Sequence, residues 1–400
     1  MRLQLIKWVG RRQGRGVTRT GAGIFSSPDK NCTGKALLAA ALTMPAVQVA
    51  HAEAVPDRGY IAYKHLNYDD SQPSYDRISV DADSLMVMVP FQENWSFSGT
   101  LTTDVISGAS PEWHSEPISL SDMEDRRDAQ DMRLTRYFSR GSVTVGASHS
   151  KEDDYESRAL SIQGSLATED KNTTLALGIG RSNDDVSSSA NPSLNEKKHT
   201  TDLLVGVTQV LTPKDIAQLN ISYTDGHGYY SDPYKFLDDR PSDKYQTAIL
   251  ARWNHYIEDW SGATQLGYRY YKDSFGIRAH TVAVEYTQEL SDKWSVTPLL
   301  RLYTQSAADF YVENTNPPLP FPPPGYMPGV TNISFDQRLA AFGARTFGIK
   351  IAYQPTKDWI MDVKYEDYAQ RTDWCLSGDG SKNLDPFYAR MIQIGLARYF

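Results

Sequence analysis

Cysteine is almost missing: the 400 residues contain two. That excludes a disulfide framework and any cysteine-based metal knuckle. Histidine is sparse, with eight residues and no pair at metal-ligand spacing. The acidic stretches NYDD (67–70), KEDDYE (151–156) and NDD (183–185) match no EF-hand or repeat calcium motif. They read as a solvated rim, and neither a metal nor a cofactor is expected. No nucleophile motif accompanies His149 and its neighbours Ser148 and Ser150, so the chain is not expected to be an enzyme. Helical periodicity is absent beyond residue 57, and no run of eighteen apolar residues follows the N-terminal region. A membrane-spanning helix is therefore not expected there.

The N-terminal region itself has the order of an export signal. Basic residues from Arg2 to Lys35 precede the apolar run ALLAAALTMPAVQVA (36–50), and the small residues of AHA (50–52) follow. Residues 1–52 are expected to be a cleaved signal peptide, and 53–400 a single domain. Eight Lys or Arg and one acid lie in 1–52, which leaves 33 basic and 48 acidic residues and a formal charge near −15. Such a chain lacks the basic footprint that a nucleic-acid partner needs.

Beyond residue 57 the chain alternates. WSFSGTLTTDV (95–105) puts Trp95, Phe97, Leu101 and Val105 on one face, and Ser96, Ser98, Thr100 and Asp104 on the other. AQLNISYTD (217–225) and WIMDVKYED (359–367) repeat the pattern. A period of two marks strands, because successive side chains leave opposite faces. Sixteen such segments are read: 58–70, 75–90, 94–107, 127–138, 141–152, 155–168, 171–184, 197–211, 215–229, 244–258, 261–273, 277–291, 293–306, 334–354, 357–371 and 386–400. They are longer than the five or six residues, roughly, of a soluble strand and match the nine to eleven, roughly, of a tilted membrane strand.

The connections sort by parity. From the second strand onward a short turn (QEN, RG, ED, PKD, ED, D, TK) alternates with a second set that holds every long connection, 108–126, 185–196, 230–243, 307–333 and 372–385. Short turns on one rim and long loops on the other are the pattern of bacterial outer-membrane barrels. The fold class is therefore all-β, a transmembrane antiparallel up-and-down β-barrel of about sixteen strands, in the outer membrane of a Gram-negative cell. Four tryptophans stand at the short turns: Trp95, Trp260, Trp294 and Trp359. An indole at that rim lies at headgroup depth, so outer-membrane lipid is the expected partner. The C-terminal RMIQIGLARYF ends on Phe400 and resembles the signal recognised by the barrel assembly machinery, although Arg398 stands where an apolar residue is usual.

The most distinctive loop is GHGYYSDPYKFLDDRPSDKY (226–245). Its Asp232, Pro233, Tyr234 and Lys235, followed by Arg240 and Pro241, resemble a motif of a proteobacterial outer-membrane family, domain-of-unknown-function family 3570. RISVDADSL (77–85), DVISGASP (104–111) and DKNTTLALGIG (170–180) are similar to other blocks of it. The resemblance implies a barrel and its compartment, and no activity. Asp232 and Pro233 read as a turn; Asp232, Tyr234, Lys235, Asp238, Asp239 and Arg240 are candidates for a mixed-charge lining of a pore or loop. NTNPPLPFPPPG (314–325) is too proline-rich for strand or helix and should run extended, over the mouth, in the lumen, or toward a partner. Two functions compete: a channel for small polar solutes with a weak cation preference, lined by the polar phase of each strand, and a non-transporting scaffold or surface-binding barrel. A homo-oligomer is compatible with either.

Overall fold

The computed structural model describes residues 55–400, apart from 74, 112, 113, 115–119 and 316. The expected signal peptide lies outside the described residues. Sixteen antiparallel strands follow one another: β1 (Tyr60–Gln72), β2 (Tyr75–Phe91), β3 (Trp95–Pro111), β4 (Leu120–Phe138), β5 (Gly141–Lys151), β6 (Tyr155–Ala167), β7 (Thr173–Val186) and β8 (Glu196–Thr212). They continue through β9 (Asp215–Gly228), β10 (Asp243–Ile257), β11 (Gly262–Asp273), β12 (Arg278–Glu289), β13 (Trp294–Gln305), β14 (Phe342–Thr356), β15 (Trp359–Arg371) and β16 (Phe387–Tyr399). Each strand pairs with its neighbours in sequence, and β1 closes the barrel on β16.

Closure runs to the last residue. Tyr60 opposes Tyr399 in the register, and Gly59 and Phe400 exchange both backbone hydrogen bonds, at 3.1 and 3.0 Å. A Cβ on Gly59 would lie 2.6 Å from the Phe400 ring, so the glycine makes room for the terminal aromatic. Arg398 lies outside, its guanidinium 5.4 Å from the centre of the Trp359 ring. The basic residue at this position thus covers an indole at the short-turn rim.

The outer face follows the alternation. Phe97, Leu101, Leu219, Ile221, Met361 and Val363 are all exposed, between 39% and 51%. Ser96, beside Phe97, and Thr297 on β13 are buried on the inner face. Trp95, Trp294 and Trp359 open β3, β13 and β15, and Trp260 lies in the β10–β11 turn, so all four share the short-turn rim. Trp294 stacks on Tyr353 at 4.4 Å and Trp95 on Phe91 at 6.4 Å.

Three features depart from the sequence reading. First, β3 and β4 run on beyond the expected ends, and most of 108–126 is strand, with Pro111 opposite Leu120. Above a lipid band both faces of such a ribbon meet polar surroundings, so its alternation fades although the ladder continues. Second, β14 begins at Phe342 rather than at 334. The side chain of Asp336 accepts from the backbone N–H of Arg338 and caps a short 3-10 turn, Gln337–Leu339. The alternating Phe335, Gln337 and Leu339 mimic a strand, yet all three are buried in a loop.

Third, the inner face is not polar all round. Leu66, Tyr68, Val80, Ile106, Phe387 and Met391 point inward from β1, β2, β3 and β16 and form a buried apolar cluster. A register shift between Asp69 and Ser71 turns Arg77 inward as well. Its guanidinium lies 4.9 Å from the centre of the Phe387 ring and 3.7 Å from Asp70. Gly108 opposite permits the bend: its φ is +123°, and a Cβ there would lie 1.9 Å from the Arg77 carbonyl oxygen. Only glycine tolerates both constraints.

Candidate functional site

Two of the long loops meet inside the barrel mouth. The β9–β10 loop and the β13–β14 loop pair their backbones at one point, where Asp239 and Ile333 exchange two hydrogen bonds of 2.8 Å. Around that bridge lies an ionic lock. Arg240 reaches Asp238 at 2.7 Å and Asp336 at 2.8 Å. Arg338 reaches Asp232 at 2.6 Å and is also bonded to Asp336. Ser334 donates to Asp238, and a carboxylate oxygen of Asp238 also accepts from the Asp232 backbone N–H at 2.6 Å. The side chains of Asp238 and Asp336 are fully buried.

Burial of this kind is tolerated only when each charge is paired and hydrogen-bonded. Burial raises the Asp336 carboxyl, but Arg338, Arg240 and Lys235 outweigh it and hold the group well below the usual carboxylate range. Asp238 goes the other way: burial lifts it, and Arg240 opposes the rise only in part. Burial also lowers Lys235, against the pull of Asp336.

The lock is tied to the wall on several sides. Lys235 Nζ donates to Ser110 Oγ on β3 at 2.9 Å, and Gln72 on β1 meets Gln337 at 3.4 Å. Gln305 on β13 donates to the carbonyls of Arg338 and Ala340. Tyr230 and Phe275 pack edge to face at 5.9 Å between the amines of Lys198 and Lys244. The two loops therefore span the mouth.

Of the six residues singled out from the sequence, Asp232, Lys235, Asp238 and Arg240 meet in the lock. Asp239 supplies the backbone bridge, and its side chain accepts from the Gly329 N–H at 3.3 Å. Tyr234 points away; its hydroxyl donates to Asp154 at 2.5 Å and meets Ser189 at 2.9 Å. Asp336, Arg338 and Ser334 escape the sequence reading, because the alternation in SFDQRLAA predicts a strand. The available signal was the pairing of one acid and one base two residues apart, after a proline-rich stretch. Asp154 also belongs to a rim trio with Asp125 and Glu152, whose carboxylate oxygens lie within 4.8 Å of one another. His149 faces outward and meets Glu156 at 2.8 Å.

The proline-rich segment lies on top of the lock. Phe321 packs against Phe236 at 4.7 Å and Phe335 at 6.5 Å, and Asn314 exchanges hydrogen bonds with Asn383 in the β15–β16 loop. His114 is buried beneath it, edge-on to Phe335 at 5.4 Å, and burial lowers its imidazole to about 4.

Below the lock the lumen has two unlike walls. From β5 to β9 the inner residues at mid-barrel are small and neutral, including Thr144, Ser161, Gln163, Gly178, Gly206 and Asn220. From β10 round to β1 long charged side chains stand among the small ones, including Arg252, Glu285, Arg301, Lys350, Glu366 and Lys64.

The chain matches the family described as protein of unknown function (DUF3570) over residues 114–194 and 188–388. It belongs to that family. Among solved structures, a bacterial polysaccharide outer membrane secretin superposes with a TM-score of 0.51 at 8% identity, covering 86% of this chain and 98% of that one. The siderophore receptor PirA from Pseudomonas aeruginosa gives 0.45 at 11% identity, with 85% of this chain and 62% of the receptor covered. OccD3 (OpdP) from the same organism gives 0.41 at 10% identity, with 88% and 93% covered. The chain thus spans less than two thirds of the receptor's length, and the likeness to the secretin is one of fold. No curated protein matches the chain.

Proposed function

We propose that this DUF3570 protein is an outer-membrane passage for small polar solutes whose mouth is closed by its own loops. The observation that carries the reading is the charged inner wall beneath the lock. A barrel that served only as a scaffold has no need for lysine and arginine along a lumen, where they add to the cost of folding. In this reading the short-turn rim with Trp95, Trp260, Trp294 and Trp359 faces the periplasm, and the exposed Phe400 is offered to the assembly machinery. The weak cation preference expected from the net charge belongs to the approaches, where Asp153, Asp185 and Asp243 are exposed. Salt screens such charges over about 8 Å at physiological ionic strength, so the preference is confined to low salt. The scaffold reading draws on the lock itself, which closes the mouth with paired, buried charges.

Planar bilayers separate the two. Discrete conductance steps from the purified protein, larger or more frequent when the lock is broken by Asp336→Ala, support the passage. Silence from both proteins, with folded barrels verified by circular dichroism, overturns it in favour of the scaffold.

A further inference from the structure

Three lysines converge on one patch of the lumen wall. Register places Lys350 on β14 opposite Lys364 on β15, and Lys364 opposite Gln393 on β16. Two residues nearer the short-turn rim, Asp362 on β15 opposes Gly395 on β16, which opposes Lys64 on β1. Each of these side chains shares the inner phase of its strand, because Phe347, Ile349, Val363 and Ile394 between them are exposed on the outside. Lys64 interacts electrostatically with Asp362, Lys350 and Lys364. The Asp362 carboxylate lies over Gly395: a Cβ there would stand 2.5 Å from one of its oxygens.

The charges of this patch do not cancel. Lys364 pairs with Glu366 at 2.8 Å, and Arg301 approaches the same carboxylate at 3.9 Å. Among the described residues no carboxylate lies within salt-bridge distance of Lys64 or Lys350. Four basic groups thus face two carboxylates. Gln393 adds a second, independent sign of a missing partner. It is 6% exposed, and its Nε2 is buried with no acceptor. A buried donor left unsatisfied is costly, so such groups are uncommon without a ligand or solvent to meet them. Lysines in a row that repel one another, with a free amide donor beside them, form a receptor for an oxyanion.

We infer that the wall formed by β14, β15, β16 and β1 is a binding site for a small carboxylate- or phosphate-bearing solute, held by Lys64, Lys350 and Gln393, with Lys364 in support. The site deepens the passage reading by naming its solute class and rests on that reading for its purpose, though not for its chemistry. Lys364 stands five residues above Trp359. At about 3.3 Å per residue and a tilt of about 40°, that puts the site about 13 Å above the short-turn rim, near the middle of a membrane band about 25 Å tall. A solute passing the lumen meets it halfway.

Isothermal titration of the purified full barrel in detergent tests this, with inorganic phosphate and succinate as ligands and glucose as the neutral control. Phosphate or succinate should bind and glucose should not. Lys350→Gln should weaken binding at least about tenfold, and Lys64→Gln with Lys350→Gln should abolish it. Ser161→Gln on the opposite wall should leave it unchanged. Circular dichroism and resistance to unfolding in detergent verify each variant, and the milder Gln393→Leu, which keeps every charge, should still weaken binding severalfold. No binding by the folded wild type, or equal affinity in the double lysine variant, overturns the site. Conductance without anion binding defeats the site and leaves the passage; anion binding in a silent bilayer defeats the passage and leaves the site.

Discussion

Charges occur at two levels inside this barrel, and they are handled differently. At the mouth the side chains of Asp238, Asp336 and Arg240 are buried and that of Arg338 is half-buried, and each is paired at 2.6 to 2.8 Å or bonded more closely still. In the lumen Lys64 and Lys350 are half-buried and have no carboxylate partner at that range among the described residues. The difference follows from solvent. A charge removed from water must find a counter-charge and hydrogen bonds or be expelled. A charge facing a wet lumen keeps part of its hydration and remains available to a solute. On the proposed reading the mouth charges therefore hold structure, and the lumen charges are left for a solute.

The sharpest way to break this contrast is to strip each level of one charge. Asp336→Ala leaves the buried Arg240 and the half-buried Arg338 with a carboxylate missing and should cost about 3–5 kcal/mol of loop docking. Limited proteolysis within 307–341 should then speed up markedly, while the barrel remains folded. Lys350→Ala in the lumen should change unfolding free energy by less than about 1 kcal/mol, within the range of an ordinary exposed substitution. A large loss there would show that the lumen lysine is structural after all.

Moving a charge across the wall sharpens the solvent argument. Leu219→Arg puts a guanidinium on the outer face and should cost about 2–4 kcal/mol at mid-membrane. Asn220→Arg, one residue on and facing the neutral inner wall, should cost much less. Reversible unfolding into lipid measures both, and equal costs would place the wet side wrongly.

Acid should act on the mouth through His114. Its folded value, about 4, lies below the ordinary 6.5, so the folded state binds the proton less readily than the unfolded chain. The stability it contributes is complete above about 6.5 and declines as pH falls toward 4. Asp336, held far below the carboxylate range, does not titrate in that window. Protease sensitivity of the mouth loops should therefore rise between pH 7 and 5, and His114→Phe should flatten that profile.

The smallest effect is expected from deleting 314–325. This segment covers the lock through Phe321 and side chain-to-backbone bonds such as that of Asn314 to Asn383, and its Pro317–Phe321 stretch is exposed. The deletion should raise conductance modestly and leave thermal stability within about 1 kcal/mol. A collapse of the lock would show that the segment does more than cover it.

The barrel was legible in the sequence because each strand is constrained locally. Lipid outside demands an apolar residue at every second position of the membrane band, so phase, strand count and loop parity survive in the residue order of WSFSGTLTTDV and WIMDVKYED. The rim tryptophans were legible for the same reason. The lock was only half legible. SDPYKFLDDR announces a turn rich in charge, but its counter-charges in SFDQRLAA lie about a hundred residues away, and alternation there imitated a strand. The apolar inner face of β1, β2 and β16 was hidden likewise, since a residue order cannot tell a side chain that meets water from one that meets Phe387 across the wall. The lysine patch is the extreme case. Lys64, Lys350, Lys364 and Gln393 are unremarkable polar-phase residues until register brings β14, β15, β16 and β1 side by side. Local periodicity determined which residues face inward; closure of the barrel alone decided which of them face one another, because that depends on hydrogen bonds between strands some three hundred residues apart in the chain.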